Sequence, residues 1–552
     1  MRRHVLLILA VAVVIAQPVG AQVTSDRLVN ASREPQNWLT YGGGYDSQRY
    51  SLLNRITPAN AKDLELKWVY QTFSTHSFQT TPIVVDGVMY MTSNPNDITA
   101  IDAATGRPFW IFKYTPQTGY KACCGAPNRG VAVLGDTVFM GTVDAHLIAL
   151  DAVSGKVKWN TTVANTLDGY AISLAPLVVK DKVIIGTAGG EYPTRAFIAA
   201  YDVRTGKEVW KFHTIPGPGE PGHDTWPKDN DAWKSGGAPM WVTGSYDPAL
   251  NLTYWGTGNP NPDFYGEGRK GDNLYTASVV ALDADTGQLK WHFQFTPHDL
   301  NDWDAAQVPV LANMDWQGRQ RRLMLWANRN GFFYVLDREN GAFLKGVPYV
   351  KVNWASGLDA KGRPILTMPP NGEPVYPWPG GGTSWYPPSF SPRTELFYLT
   401  TSENTASRMK PVDKEPDMKI GQTRIGGSFT PVNRAPNPGV GGGIRGVVFT
   451  NGTETNGTGT VTAIDPRTGT TKWRFHMTNV SNSGLLTTAT DLLFSGSREG
   501  HFFALDARDG TELWRMNVGG HVNAAPMTYE VDGKQFVAVS SGTALFVFGL
   551  KN

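Results

Sequence analysis

The sequence predicts an all-β fold, an eight-bladed β-propeller closed by pairing of its N- and C-terminal strands. Three observations predict it. A short motif recurs along the chain: an apolar strand end, an Asp, a turn ending in Gly, then a Trp. A second hairpin signal precedes most copies, as in Pro82 to Met91 around Asp86-Gly87. Finally, 60 Gly and 37 Pro make about 18% of 552 residues, against an average of about 12%, too many for a helix bundle.

The copies run in order. Ala100-Ile101-Asp102 leads to Thr105-Gly106 and Trp110, and Ala149-Leu150-Asp151 leads to Ser154-Gly155 and Trp159. Ala200-Tyr201-Asp202 leads to Thr205-Gly206 and Trp210, and Ala281-Leu282-Asp283 to Thr286-Gly287 and Trp291. A degraded copy has Leu336-Asp337, Asn340-Gly341 and Leu344 near the Trp place. Ala463-Ile464-Asp465 leads to Thr468-Gly469 and Trp473, and Ala504-Leu505-Asp506 to Asp509-Gly510 and Trp514. In each, the Asp accepts hydrogen bonds from the turn, the Gly takes a positive φ and the Trp wedges against the neighbouring unit. With its upstream hairpin, each unit is four short antiparallel strands.

The 128 residues from Asp337 to Asp465 hold one interrupted blade. Trp385 to Ser402 reads as two strands, 403–446 as an insertion, and Gly459 to Phe475 completes the blade. The eighth blade draws on both ends. Ala525 to Leu550 supplies three strands, and Leu64 to Trp68 supplies the missing Trp strand, so no sheet edge stays exposed.

Charge points to no nucleic-acid or anionic-membrane partner, with Lys+Arg 50 against Asp+Glu 48. Arg2 and Arg3, an apolar run from Val5 to Ala16 and the small residues Val19-Gly20-Ala21 read as a signal peptide over 1–21. The mature chain, 22–552, is then one propeller, periplasmic or secreted, in an oxidising compartment without a membrane span.

The two cysteines, Cys123 and Cys124, are adjacent. Loop closure stabilises in proportion to loop length, so stability is a poor reason to bridge them, and two unbridged core residues is the plain alternative. Gly217 to Gly222 fits a G-x-G-x-x-G string, but Pro218 and Pro221 exclude a helix opening there. The chain has no HExxH arrangement and no C-x-x-C-H haem-attachment motif.

Several ordered blocks carry more. They are Cys123 to Arg129, Gly186 to Glu191, Trp233 to Trp241, Tyr246 to Pro248, Gly256 to Pro260, Pro297 to Asp304 and Asn328 to Gly331. Through them the sequence resembles the quinoprotein alcohol dehydrogenases, enzymes that carry pyrroloquinoline quinone (PQQ), over nearly the whole mature chain and without a fused haem domain.

The resemblance implies roles. PQQ would lie between the Trp241 ring and a Cys123–Cys124 disulfide. Arg129, Ser173, Gly189, Gly190, Gln79, Arg329 and, from the sixth blade, Asn404 would bond its edge. Glu191, Asn259 and Asp302 match the metal ligands, all hard oxygen donors suited to Ca²⁺ or a lanthanide. Asp304 follows Asp302 at i+2, and an acid there marks the lanthanide-using members. Asp302 would act as base and Arg329 would bond the reactive carbonyl oxygen. An alcohol is the implied substrate and a soluble cytochrome c the implied electron acceptor. The rival is a non-catalytic propeller that scaffolds protein binding, which has no need of the vicinal cysteines or the oxygen-donor set.

Overall fold

The computed structural model describes residues 23–74, 76, 79–370, 372–432 and 457–551. The segment 1–21, read as an export signal, lies outside them. Eight sheets, each with four antiparallel strands and one of them with a fifth, parallel strand added, follow one another as blades. The first seven occupy 83–112, 132–162, 177–213, 245–294, 310–348, 389–477 and 486–517. The eighth joins Met527–Val531, Lys534–Ser541 and Ala544–Leu550 to an outermost strand from the other end of the chain, Leu64–Gln71. Leu64 pairs with Leu550 and Gln71 with Ala544, which closes the ring.

The repeated motif acts as a joint between blades. In the first copy Asp102 Oδ1 accepts from Ala104 N at 2.9 Å, and Gly106 holds φ 78°. A Cβ on Gly106 would stand 2.6 Å from the Trp68 ring, and one on Gly155 equally close to Trp110. Trp159, Trp210, Trp291 and Trp473 lie in the same way on Gly206, Gly287, Gly341 and Gly510 of the next blade, whereas Trp514 meets Phe548 of the eighth. Trp110 Nε1 also donates to Ala152 O at 3.0 Å and Trp159 Nε1 to Val203 O at 3.1 Å.

The degraded copy differs from expectation. Lys345, opposite Val335, occupies the Trp register, and Val347 covers Gly469. Leu344 does not, because residues on one strand face alternate sides and Val347 shares the face of Lys345. The sixth blade is interrupted after Leu396–Glu403 and resumes at Thr458–Ile464, beyond the expected boundary at 446. The interruption carries its own hairpin, Ser407–Pro411 paired with Gly427–Pro431. Residues 433–456, which hold the rest of the expected insertion, are outside the described residues.

The segment 36–51 runs along the innermost strands. Glu530 N donates to Gln36 O (3.0 Å), Tyr246 N to Tyr45 O (3.0 Å), Leu311 N to Asp46 O (2.9 Å) and Phe390 N to Gln48 O (2.9 Å). Trp38 bridges Val84, and Tyr50–Ser51 adds a parallel strand to Leu486–Thr488. The Arg49 guanidinium is fully buried there and donates to the carbonyls of Tyr41, Leu485 and Pro526 at 2.6–2.9 Å.

Strand order fixes where a site can form. In an up-and-down blade, the loop entering the innermost strand and the loop from second to third strand lie at one end. The Asp/Gly turns lie at the other. Among the described residues no helix is long and apolar enough to cross a membrane.

Candidate active site

A cavity of about 210 Å³ opens at the loop end. The loops that enter innermost strands bring Gln79, Cys123, Cys124, Arg129, Ser173, Trp241, Asp302 and Asp304 to its wall. The loops between second and third strands bring Gly189, Gly190, Glu191, Asn259 and Arg329. These residues come from five successive blades. Gly189, at φ 116°, passes so close to Gly169 O that a side chain has no room.

Cys123 and Cys124 form a disulfide. Its sulfurs and a Glu191 carboxylate oxygen lie within 4.8 Å of one another. Oxidised sulfur is not a thiolate ligand, so this proximity puts the disulfide beside Glu191 without making it a metal cluster. Arg129 is buried, with its guanidinium 4.9 Å from the Trp241 ring centroid and 4.7 Å from that of Trp385. Its Nη1 donates to Ser173 Oγ and to Trp241 O, both at 3.1 Å.

Asp304 is the hub. Its Oδ1 accepts from Asn259 N at 2.5 Å, and its Oδ2 accepts from Trp241 Nε1 at 3.1 Å and Arg329 Nη1 at 2.5 Å. Asp302, at φ 58°, keeps its Oδ1 3.9 Å from the same Arg329 nitrogen. Burial pushes Asp302 well above the usual carboxylate range; Arg329 pulls it down, and Asp304 and Glu191 push it further up. Desolvation lifts Glu191 to about 7.

A family model for the glucose/ethanol/alcohol dehydrogenase β-propeller domain matches residues 38–362. The chain is 40% identical to the quinohemoprotein alcohol dehydrogenase of Comamonas testosteroni, over 93% of this chain and 73% of that protein. This chain belongs to the PQQ-dependent alcohol dehydrogenase family. It is 36% identical to the quinoprotein alcohol dehydrogenase PedH of Pseudomonas putida, over 96% of this quinoprotein and 90% of that one. Among solved structures, a europium-containing methanol dehydrogenase is 30% identical with a TM-score of 0.86, covering 95% of this chain and 100% of its own. A model of the outer membrane protein assembly factor BamB matches residues 457–549, which contribute no residue to the cavity wall.

The cavity of this quinoprotein fits the family's groups. Gln79 Oε1 and Arg329 Nε are buried and bond no protein atom among the described residues, so both are available to a bound molecule. Trp241 offers an apolar ring, and the ionisable donors beside it are oxygens.

The structure brings together every residue singled out in the sequence except Asn404. That residue follows the strand Leu396–Glu403, at φ 55°, and does not line the cavity. Asp304 differs in detail, since protein donors already engage both of its oxygens. Sequence reasoning missed Ser384 and Trp385, which line the cavity, and Asp263, buried beside Asn259. Trp385 had a signal, being a Trp outside the blade motif just before an innermost strand. Asp263 had none beyond lying four residues after Asn259.

Proposed function

We propose that this quinoprotein oxidises an alcohol to an aldehyde or ketone, with PQQ between Trp241 and the Cys123–Cys124 disulfide. One observation carries the reading: Gln79 and Arg329, each with a buried polar atom that bonds no described protein atom, line a cavity that also gathers a disulfide, a Trp ring and oxygen donors. Arg129 and Ser173 would supply donors for the carboxylates of the group, Gln79 would meet it with its amide, and the backbone of Gly189 and Gly190 would approach where no side chain intervenes. Glu191, Asn259, Asp302 and Asp304 hold the cation. When bound, PQQ supplies the acceptor for the hydride of the alcohol C–H bond, and the cation supplies Lewis acidity beside it.

The chain's own residues do the rest. Asp302 accepts the substrate hydroxyl proton. Arg329, held through Nη1 by Asp304, presents its remaining N–H groups to an oxygen on which negative charge develops. Asp304 fixes the edge of the Trp241 ring through Nε1 and so sets the tilt of the cavity floor.

The cation is a lanthanide in this reading. Glu191, Asp302 and Asp304 bring three carboxyl groups to the cavity, with Arg329 bonded to the last of them, a set suited to a trivalent ion. The likeness to a europium-containing methanol dehydrogenase supports this choice over Ca²⁺. The protein works after export, in the periplasm or outside the cell, and passes electrons singly to a separate acceptor, a soluble cytochrome c. Reconstitution tests the proposal: purified protein with PQQ and La³⁺ or Ca²⁺, a panel of alcohols of graded size, and dye reduction as the readout. Failure to reduce dye with every alcohol and both cations, in folded protein, would overturn it.

A further inference from the structure

Asn259 is fixed from behind. Its Nδ2 donates to Asp263 Oδ1 at 2.9 Å and to Pro260 O at 3.1 Å. Two acceptors therefore flank one end of the amide. Turning the amide over would set Oδ1 against both of them, so the chemistry of the neighbours determines which end faces the cavity. That end is Oδ1, which lies over the Cα of Gly190 so closely that a Cβ there would collide with it. Gly190 adjoins Glu191, and all three residues line the cavity.

Asp263 is itself held in place. It is buried, and Arg269, a fully buried guanidinium, donates through Nη2 to the carbonyls of Asp263 (3.3 Å) and Asp299 (2.6 Å). Arg269 Nε also donates to Pro262 O at 3.0 Å. One guanidinium thus ties the loop that carries Asn259 and Asp263 to the loop that leads to Asp302. Asp263 is absent from the cavity wall, and its hydrogen bond to the site runs through Asn259.

We propose that Asp263 is a positioning residue: its carboxyl oxygen locks the Asn259 amide so that Oδ1 is permanently presented to the cation. The inference rests on the metal-site reading above. A free asparagine samples both amide orientations and offers a donor, useless to a cation, in one of them. A carboxyl oxygen accepts from Nδ2 in either protonation state, so the lock depends on geometry and not on charge. An amide at position 263 can lock Asn259 equally, by turning its own oxygen toward Nδ2.

The test measures cation affinity directly. PQQ-supplemented protein, stripped of cations by a chelator, is titrated with La³⁺ and separately with Ca²⁺ by calorimetry. Asp263→Ala removes the side-chain acceptor and leaves only Pro260 O, and its affinity is expected to fall about tenfold or more for whichever cation the unaltered protein binds. Asp263→Asn keeps an acceptor and is expected to stay within about threefold. Asn259→Asp removes the Nδ2 donor and is expected to lose affinity. The exchange Asn259→Asp with Asp263→Asn is expected to recover it, because the amide at 263 then donates to the carboxylate at 259. This pair keeps the test decisive even if Asp263→Ala does not fold. A purely structural role for Asp263 changes the thermal midpoint but predicts no recovery in the exchange. Unchanged affinity in Asp263→Ala, or equal losses in Asp263→Ala and Asp263→Asn, overturns the inference while leaving the metal site intact. Absence of La³⁺ and Ca²⁺ binding in the unaltered protein overturns both readings.

Discussion

Arg329 bonds Asp304 at 2.5 Å while its nearest approach to Asp302 is 3.9 Å. The guanidinium is therefore committed to one carboxylate and leaves the other to the cavity. Asp302→Asn is accordingly expected to keep Arg329 and Trp241 in place and retain PQQ. Turnover should fall by about a thousandfold, the scale of a lost general base. Cation content must be measured alongside, and turnover near that of the unaltered protein would remove Asp302 from the reaction.

Asp304 supports three donors as well as the proposed ion. In the unaltered protein, La³⁺ is expected to give more dye reduction than Ca²⁺. Asp304→Ala should abolish the La³⁺-dependent activity. Higher activity with Ca²⁺ than with La³⁺, unaffected by Asp304→Ala, is the result that rules out the trivalent ion.

Glu191 titrates near 7 in the cation-free cavity, raised chiefly by desolvation. A cation needs the carboxylate form, so below about pH 7 each ion bound must expel a proton. Above that pH Glu191 adds no such cost. Cation affinity should fall by at least about tenfold for each pH unit below 7 and less steeply above it, where Asp302, also pushed up by burial, still has a proton to lose. A pH-indicator titration should register proton release on binding at pH 6, and a flat affinity from pH 5 to 8 contradicts the assignment.

The disulfide between Cys123 and Cys124 closes too small a loop to restrain the unfolded chain. Replacing both with Ala is expected to move the thermal midpoint by less than about 3 °C. Turnover with PQQ should drop about tenfold or more. Collapse of the fold with PQQ binding intact is the opposite of what this site predicts.

Gly155 holds φ 68° with the Trp110 ring 2.6 Å from where a Cβ would go. Gly155→Ala therefore forces both backbone strain and displacement of a ring that joins two blades. A loss of about 3 kcal/mol is expected. Gly135 holds φ 60° with open space around it, so Gly135→Ala should cost only the backbone share, about 1 kcal/mol. Denaturant unfolding of the two variants side by side checks the difference.

The blades were legible because their signal is local. An Asp, a Gly and a Trp within nine residues report a turn and a joint, and six copies establish the period. The degraded copy shows the limit, since Val347 replaces the Trp function from a different position on the same strand face. The cavity was legible through residues whose chemistry packing does not require, such as Cys123-Cys124 and Glu191. Asp263 and the axial position of Arg49 were not, because each acts through contacts between distant segments that leave no spacing in the sequence. Asn404 follows the second strand of the sixth blade, as expected, but is not among the residues lining the cavity.

The plug formed by residues 36–51 has a temporal consequence. Its partners include Phe390, Thr487 and Glu530, and the closing strand Leu64–Gln71 waits for Ala544–Leu550. A chain made from its N-terminus onward thus produces this segment and its closing strand first, and the last of their partners, Thr487, Glu530 and Ala544–Leu550, at the end. Six blades are complete in sequence before the seventh and eighth exist to grip that early segment. Closure joins strands more than 400 residues apart, so it needs nearly the whole chain. Until Ala544–Leu550 has been made, Leu64–Gln71 has no neighbour to pair with and the ring cannot close.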